Sequence, residues 1–225
     1  MKKVVFPADV PARLTFYLAA EEYLAAGAGE DLFFTWQSPP TVICGRNQVI
    51  ENEVNLEYCR GHGIEVVRRK SGGGCVYSDE GNVMLSYITP DRGVEEVFAR
   101  YMKMVAGELQ SLGFDAVTTE HNDILVGGRK VSGNACFAAP HSTIVHGTML
   151  VDLNFDALAR STTPSAEKLA KHGVQSVRQR VVNLRALGLT LTPAELRERF
   201  ERELCEGELQ LSAEDIEKII KFETT

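Results

Sequence analysis

Three consecutive glycines set between two strand-like segments constrain this chain more than any other feature. Residues 66–88 read VVRRKSGGGCVYSDEGNVMLSYI. Val66 and Val67 are β-branched, and Arg68, Arg69 and Lys70 follow them directly. After Ser71 come Gly72, Gly73 and Gly74, and then Cys75, Val76 and Tyr77 return to strand composition. A second turn, Ser78-Asp79-Glu80-Gly81-Asn82, leads into another apolar run. The pattern predicts strand, glycine turn, strand, turn, strand. Glycine has no Cβ, so backbone N–H groups can come close to a ligand and φ can turn positive. Successive N–H groups in such a turn form a concave anion site, and adjacent cations supply charge. A lone GGG is a solvated bend. Three cations beside it point to an anion site. The spacing is neither GxGxxG nor GxxxxGK[ST], which excludes Rossmann and P-loop readings.

That site must be local, because the 225-residue chain is acidic, with net charge −7. A general nucleic-acid footprint needs a basic surface, so no nucleic-acid partner is expected. No apolar run reaches the roughly 20 residues of a membrane span, and no membrane partner is expected. MKKVVFPADVPARL is not a secretory signal. The five cysteines (Cys44, Cys59, Cys75, Cys136 and Cys205) are scattered, with no CxxC pair. They imply a reduced, cytoplasmic protein whose thiols mostly fill the core.

In chain order, the spacing predicts a strand at 4–6 and a helix at 14–26, with Glu21 and Glu22 on its amphipathic positions. Strands follow at 32–36 and 41–44, the latter ended by Gly45-Arg46-Asn47-Gln48. A helix capped by Asn55 is expected over 54–62, and another over 95–112. Residues 123–126 and 130–137 flank Gly127-Gly128-Arg129, a hairpin signal. A strand is expected over 142–152, with short helices at 155–159 and 168–173 and a basic patch at Arg178, Arg180 and Arg185. Thr192-Pro193-Ala194-Glu195 is a capping box opening a helix to about Cys205, and a last helix runs from Ser212 to near Phe222. No repeat, low-complexity segment or linker interrupts this order. It implies one domain over residues 1–225, of α/β (α+β) class, with a mixed, mainly antiparallel sheet flanked by helices.

Beyond the glycine turn, three constellations carry possible chemistry. Asn122 and Asp123 face Lys130 across the second hairpin: a lysine can neutralise developing phosphoryl charge, and an aspartate can orient it or hold Mg²⁺. By residue type alone a surface hairpin explains them slightly better. His146 in VHGT reads as a packed structural histidine. Cys136 follows a Gly-Asn bend where a nucleophile could sit, but an apolar filler is the better reading without a paired base.

RRKSGGGCVYSDEGN, NDILVGGRKVSGNA, HGTMLVDLN and GVQSVRQRVVNL occur in that order, preceded by SPPTVICGRNQ. Together they resemble the lipoate–protein ligase family, from about Thr35 to Leu187. That family shares its fold with biotin–protein ligases and octanoyl transferases, so fold alone does not select the reaction. The resemblance implies two steps with ATP and Mg²⁺. The lipoate carboxylate attacks the α-phosphate to give lipoyl-AMP and pyrophosphate. A lysine of an acceptor lipoyl domain then takes the acyl group. Implied acceptors are the lipoyl domains of 2-oxoacid dehydrogenase E2 subunits and the glycine cleavage H protein.

Onto this sequence the resemblance places Lys130 as the catalytic bridge between carboxyl and α-phosphate. It places Arg69, Ser71, Gly72, Gly73 and Gly74 in the acyl- and phosphate-binding loop, with Asn82 in the turn beyond. Asn122 and Asp123 fall on the adenylate side, Asp123 also being the Mg²⁺ candidate. Gly133 and Ala135 line the pocket, His146 sits near it, and Val76 and Tyr77 wall an apolar acyl slot. Ser78 stands where the family often has histidine. The small C-terminal domain of many such ligases is expected to be absent, its role falling to a separate accessory protein if it is needed. Two other functions remain: an octanoyl transferase working through a Cys136 thioester without ATP, and a lipoate-binding accessory subunit.

Overall fold

The computed structural model describes residues 1–162 and 181–223. The expected helix at 168–173, Arg178, Arg180 and most of GVQSVRQRVVNL lie outside the described residues. Eleven strands are described: β1 (Lys2–Val5), β2 (Leu32–Trp36), β3 (Thr41–Cys44), β4 (Glu65–Arg68), β5 (Val76–Ser78), β6 (Asn82–Thr89), β7 (Ala116–Thr118), β8 (Asp123–Val126), β9 (Arg129–Ala138), β10 (Thr143–Leu150) and β11 (Glu208–Gln210). Seven α-helices accompany them: α1 (Leu14–Gly27), α2 (Ile50–Glu53), α3 (Leu56–Gly61), α4 (Val94–Ser111), α5 (Phe155–Ser161), α6 (Pro193–Leu204) and α7 (Ala213–Glu223).

Eight strands form one sheet in the order β11-β1-β2-β6-β10-β9-β8-β7, and β4-β3-β5 form a second, smaller one. Antiparallel pairings predominate, with β1–β11, β1–β2 and β3–β4 parallel. β6 and β10 are buried along their whole lengths, as befits central strands covered on both faces. Alternation assigns each face. Phe33, Leu85, Tyr87, Val145 and Met149 pack towards α4 and α6. Phe34, Trp36, Met84, Ile88 and Ile144 pack towards α1 and α7. The small sheet closes over a third cluster with α3 and α5.

The glycine stretch departs from expectation. β4 and β5 do not pair with each other; both pair with β3, β4 parallel and β5 antiparallel. The glycines therefore carry the chain across β3 rather than closing a hairpin. Likewise the turn at 79–81 passes from the small sheet to the large one. The helix expected over 54–62 is the shorter α3, because Val54 is drawn into a bridge with Thr162, and the separate α2 precedes it. Asn55 does cap α3, accepting from the N–H of Tyr58 at 3.0 Å. Gly127 and Gly128 both have positive φ between the paired Val126 and Arg129, the two-residue turn that glycine permits.

Candidate functional site

Two cavities meet beside the glycine loop. The first, of about 250 Å³, lies between α1 and the sheet, and its apolar walls are Leu14, Leu18, Trp36, Ile43 and Met84. The second, of about 670 Å³, opens between β5 and the β8–β9 hairpin, with Thr119, His121, Asn122, Asp123 and Lys130 on its lining. Cys75, Val76, Asn122, Lys130, Gly133 and Thr148 line both.

Lys130 owes its place at that junction to an irregularity. The β8–β9 register shifts between Ile124 and Leu125, so β9 carries an extra residue there. A bulge re-aims a side chain. Here it lets Lys130 reach over Gly133, an odd number of residues away. A Cβ at Gly133 would stand 2.7 Å from Lys130 Nζ. The ammonium pairs with Asp123 Oδ1 at 2.6 Å, both side chains about three-quarters covered (29% and 25% exposed). Asn122 donates from Nδ2 to the Asn134 carbonyl at 2.9 Å, holding the strand end against β9.

The three cations beside the glycines do not share one role. Arg68 donates from Nη1 to the carbonyls of Gly45, Arg46 and Gln48, fastening the Gly45–Gln48 turn. Lys70 points away from the cavities to Glu22 at 2.7 Å. Arg69 is buried and grips the loop itself. It donates to Gly72 O (2.7 Å from Nη2), Gly74 O (2.8 Å) and Ile43 O (3.2 Å). Burial pulls its pKa below the ordinary guanidinium value. All its hydrogen-bond partners among the described residues are carbonyls. Its charge thus lacks a carboxylate while its side chain borders the smaller cavity. A buried cation in that state favours an anion beside it. Gly45 must be glycine, since a Cβ there would collide with the Gly73 carbonyl.

Behind the loop runs a buried polar chain. Ser71 Oγ lies 2.7 Å from His146 Nε2, and His146 Nδ1 lies 2.9 Å from Glu21 Oε2. Glu21 Oε1 accepts from Ser86 Oγ at 2.6 Å, and Ser86 accepts from Trp36 Nε1 at 2.9 Å. A carboxylate only accepts, so His146 donates from Nδ1; in the neutral ring Nε2 then accepts the Ser71 hydroxyl. His146 sits on the α1 face of β10 because Ile144, two residues earlier, does. Ser71 is 1% exposed and borders neither cavity, so this Ser-His-Glu array positions the loop rather than attacking a ligand.

The expected site residues separate accordingly. Arg69, Gly73, Gly74, Val76, Asn122, Lys130, Gly133, Ala135 and His146 border the smaller cavity. Tyr77 and Asp123 border the larger one. Ser71, Gly72 and Asn82 border neither; Asn82 is fully buried at the start of β6, within reach of Ser78. Ser78 is also buried, against Ser38. Cys136 faces the opposite layer from Ala135, packed on the α4 side. Burial pushes its thiol pKa up. Arg185, the described member of the basic patch, pairs with Asp152 at 3.2 Å. Sequence reasoning missed Glu21, Asn134, Thr148, Cys75 and the walls Leu14, Leu18, Trp36, Ile43 and Met84. Glu21 had a signal: it falls on the stripe of Leu14, Leu18 and Ala25, where an acid must have a partner.

No cluster of three or more potential metal ligands occurs among the described residues. One carboxylate still fits a magnesium ion that arrives with phosphate and keeps its waters, and Asp123 has Oδ2 outside its pair with Lys130.

A family model described as the lipoyl protein ligase A/B catalytic domain matches residues 14–205. The chain belongs to this family. Lipoate–protein ligase 1 of Staphylococcus aureus is 39% identical over 173 residues, which are 76% of this chain and 53% of that protein. The chain spans about half the length of the curated relatives it matches. Among solved structures, a bi-partite lipoate protein ligase of Thermoplasma acidophilum, studied with its E2 lipoyl domain, superposes with TM-score 0.85 and 24% identity. That match covers 100% of this chain and 92% of the other. A lipoate-protein ligase A bound with ATP gives TM-score 0.84 and 24% identity, covering 100% and 94%. At these identities the structural likeness establishes the shared fold. Among the described residues no helix is long and apolar enough to cross a membrane.

Proposed function

We propose that the chain activates lipoate with ATP to lipoyl-AMP and transfers the lipoyl group to a lysine of an acceptor lipoyl domain. The observation that carries this reading is the Lys130 ammonium, which lines both cavities where they meet. The smaller cavity, walled by Leu14, Leu18, Trp36, Ile43 and Met84, suits a short acyl chain with its dithiolane ring, and the larger one, which carries His121, Asn122, Asp123 and Lys130, suits a nucleotide. A carboxylate and an α-phosphate brought to that junction repel each other. At ~4 Å two unit charges interact by roughly 4 kcal/mol at an effective dielectric near 20. Lys130 offsets that repulsion and stabilises charge developing on the phosphate oxygens, with Asp123 aiming the ammonium. The Gly73–Gly74 loop, braced by Arg69, offers backbone donors to the same anions.

Asp123 would hold a magnesium ion accompanying ATP, whose charge would neutralise the phosphates. The acceptors proposed are the lipoyl domains of 2-oxoacid dehydrogenase E2 subunits and the glycine cleavage H protein, in the cytoplasm. Residues 1–225 are read as one catalytic domain, assisted by a separate accessory domain where adenylation requires it. The test incubates the chain with lipoate, ATP and Mg²⁺ and follows pyrophosphate release. Acyl transfer from presynthesised lipoyl-AMP to a lipoyl domain is followed separately. Absence of both activities overturns the reading; transfer without adenylation assigns the first step to the assisted form.

A further inference from the structure

Two cysteines meet where the glycine loop rejoins the small sheet. β3 and β5 are antiparallel, with Thr41 opposite Ser78, Val42 opposite Tyr77 and Ile43 opposite Val76. One further step of this register sets Cys44 opposite Cys75. Their sulfurs lie 3.0 Å apart as free thiols. Directly opposed residues of an antiparallel pair have Cα atoms ~4.5–5.5 Å apart, inside the ~4.4–6.8 Å a disulfide spans. The strand register and the sulfur contact together bring the two side chains within reach of a bond.

Access to the two differs. Cys44 is fully buried, whereas Cys75 is half-buried and borders both cavities. A small molecule in either cavity meets Cys75 first, with Cys44 directly behind. Cys136 and Cys205 pack against the other core layer, and Cys59 is buried beside α5.

We propose that Cys44 and Cys75 are a redox-active dithiol that reduces a small organic disulfide admitted to the cavities. The Cys75 thiolate attacks one sulfur of that disulfide, breaking its S–S bond, and the displaced sulfur takes a proton. Cys44, as thiolate, then attacks Cys75 Sγ and expels the second substrate sulfur, which also takes a proton. Two electrons pass to the substrate, and the two thiol protons of the cysteines end on the two product thiol groups, which belong to one molecule for a cyclic dithiolane and to two for a linear disulfide. Burial and the neighbouring Cys44 push the Cys75 thiol pKa up. The first attack is therefore slow at neutral pH and quickens as pH rises. Two sources supply such chemistry: a linear disulfide, or the cyclic dithiolane of the acyl substrate, the latter resting on the ligase reading above.

The linkage would also bear on the loop. Gly45 follows Cys44 and packs on the Gly73 carbonyl. A Cys44–Cys75 bond would tie the Gly45–Gln48 turn to the exit of the glycine loop.

The test needs no ATP. The reduced chain is incubated with lipoate or with glutathione disulfide at neutral and mildly alkaline pH, quenched in acid, alkylated and mapped by peptide mass. The expected result is a Cys44–Cys75 cross-linked peptide, one dihydrolipoate or two glutathione molecules per chain, and alkylated Cys59, Cys136 and Cys205. Cys44→Ser should halt the reaction at a mixed disulfide on Cys75, and Cys75→Ala should abolish both species. Cross-linking by glutathione disulfide alone supports the dithiol and removes lipoate as its oxidant, leaving the pyrophosphate assay to judge the ligase reading. Cys44 and Cys75 alkylated as fully as in the untreated chain, in both arms and at both pH values, overturn the proposal.

Discussion

Gly133→Ala is the sharpest probe of the lysine geometry, because it should separate activity from stability. The new Cβ would stand 2.7 Å from Lys130 Nζ and 2.8 Å from its Cε. Ordinary contact needs ~3.5–4.0 Å, so the lysine tip must retreat by about 1 Å. It can do so, since the obstacle is the mobile end of a side chain rather than backbone. Gly133 is not among the glycines with positive φ, so alanine is compatible with its backbone. Such a replacement stabilises by about 0.4–1 kcal/mol through the unfolded chain, against a small cost of moving the lysine. Thermal stability should stay within a few degrees of the parent. The ammonium, however, leaves its place beside Asp123 and between the two cavities. A misplacement of about 1 Å costs on the order of 10² in rate. Single-turnover pyrophosphate release should fall about 100-fold, or about 2.7 kcal/mol in barrier. A folded Gly133→Ala protein with adenylation within a few-fold of the parent would show that the lysine position is irrelevant. Loss of activity together with a collapsed melting temperature would make Gly133 a packing residue instead.

Lys130→Ala should lower single-turnover adenylation by ~10²–10³, and Lys130→Arg should rescue poorly, since a planar fork does not replace a point charge. Changes of only a few-fold in both half-reactions would make it a surface lysine. Gly73→Val should abolish adenylation while circular dichroism stays largely unchanged: φ is +94° there and a Cβ would approach Arg69 Nη2 to 2.9 Å. Glu21→Gln removes a charged acceptor from His146 and Ser86. Adenylation should fall ~10-fold or more, on the ~1–3 kcal/mol scale of a buried group left unpaired. Nitrogen NMR should report a changed His146 tautomer; an unaltered tautomer and rate would dismiss the array as packing. Asp215 accepts from Ser212 and Tyr23, which hold its pKa down at about 2. A depressed acid stabilises above its unfolded value and loses that effect as pH falls through the folded one. Docking of α7 on α1 should therefore weaken between about pH 4 and 2, and Asp215→Asn should flatten that dependence in Tyr23 fluorescence.

Local features were legible in the sequence because their causes span only a few residues. The bounds of β2 and β3, the Asn55 cap and the Gly127-Gly128 turn follow from side-chain size and backbone freedom nearby. So does the capping box, in which Thr192 and Glu195 bond each other's main chain. The ordered motifs also carried the family. What the sequence could not decide was which groups meet. Glu21 and His146 stand 125 residues apart, and only the packing of α1 on β10 makes them partners. Residue type gave Arg68, Arg69 and Lys70 one role; the crossing over β3 gave them three. Alternation along β9 would have set Lys130 and Gly133 on opposite faces, and the bulge joined them. The same contrast explains Cys44 and Cys75, which are unremarkable thiols until β3 and β5 pair. Hydrogen-bonded turns and caps are fixed by short-range sterics. The pairing of buried charges and the register of distant strands depend on desolvation and packing across the whole domain.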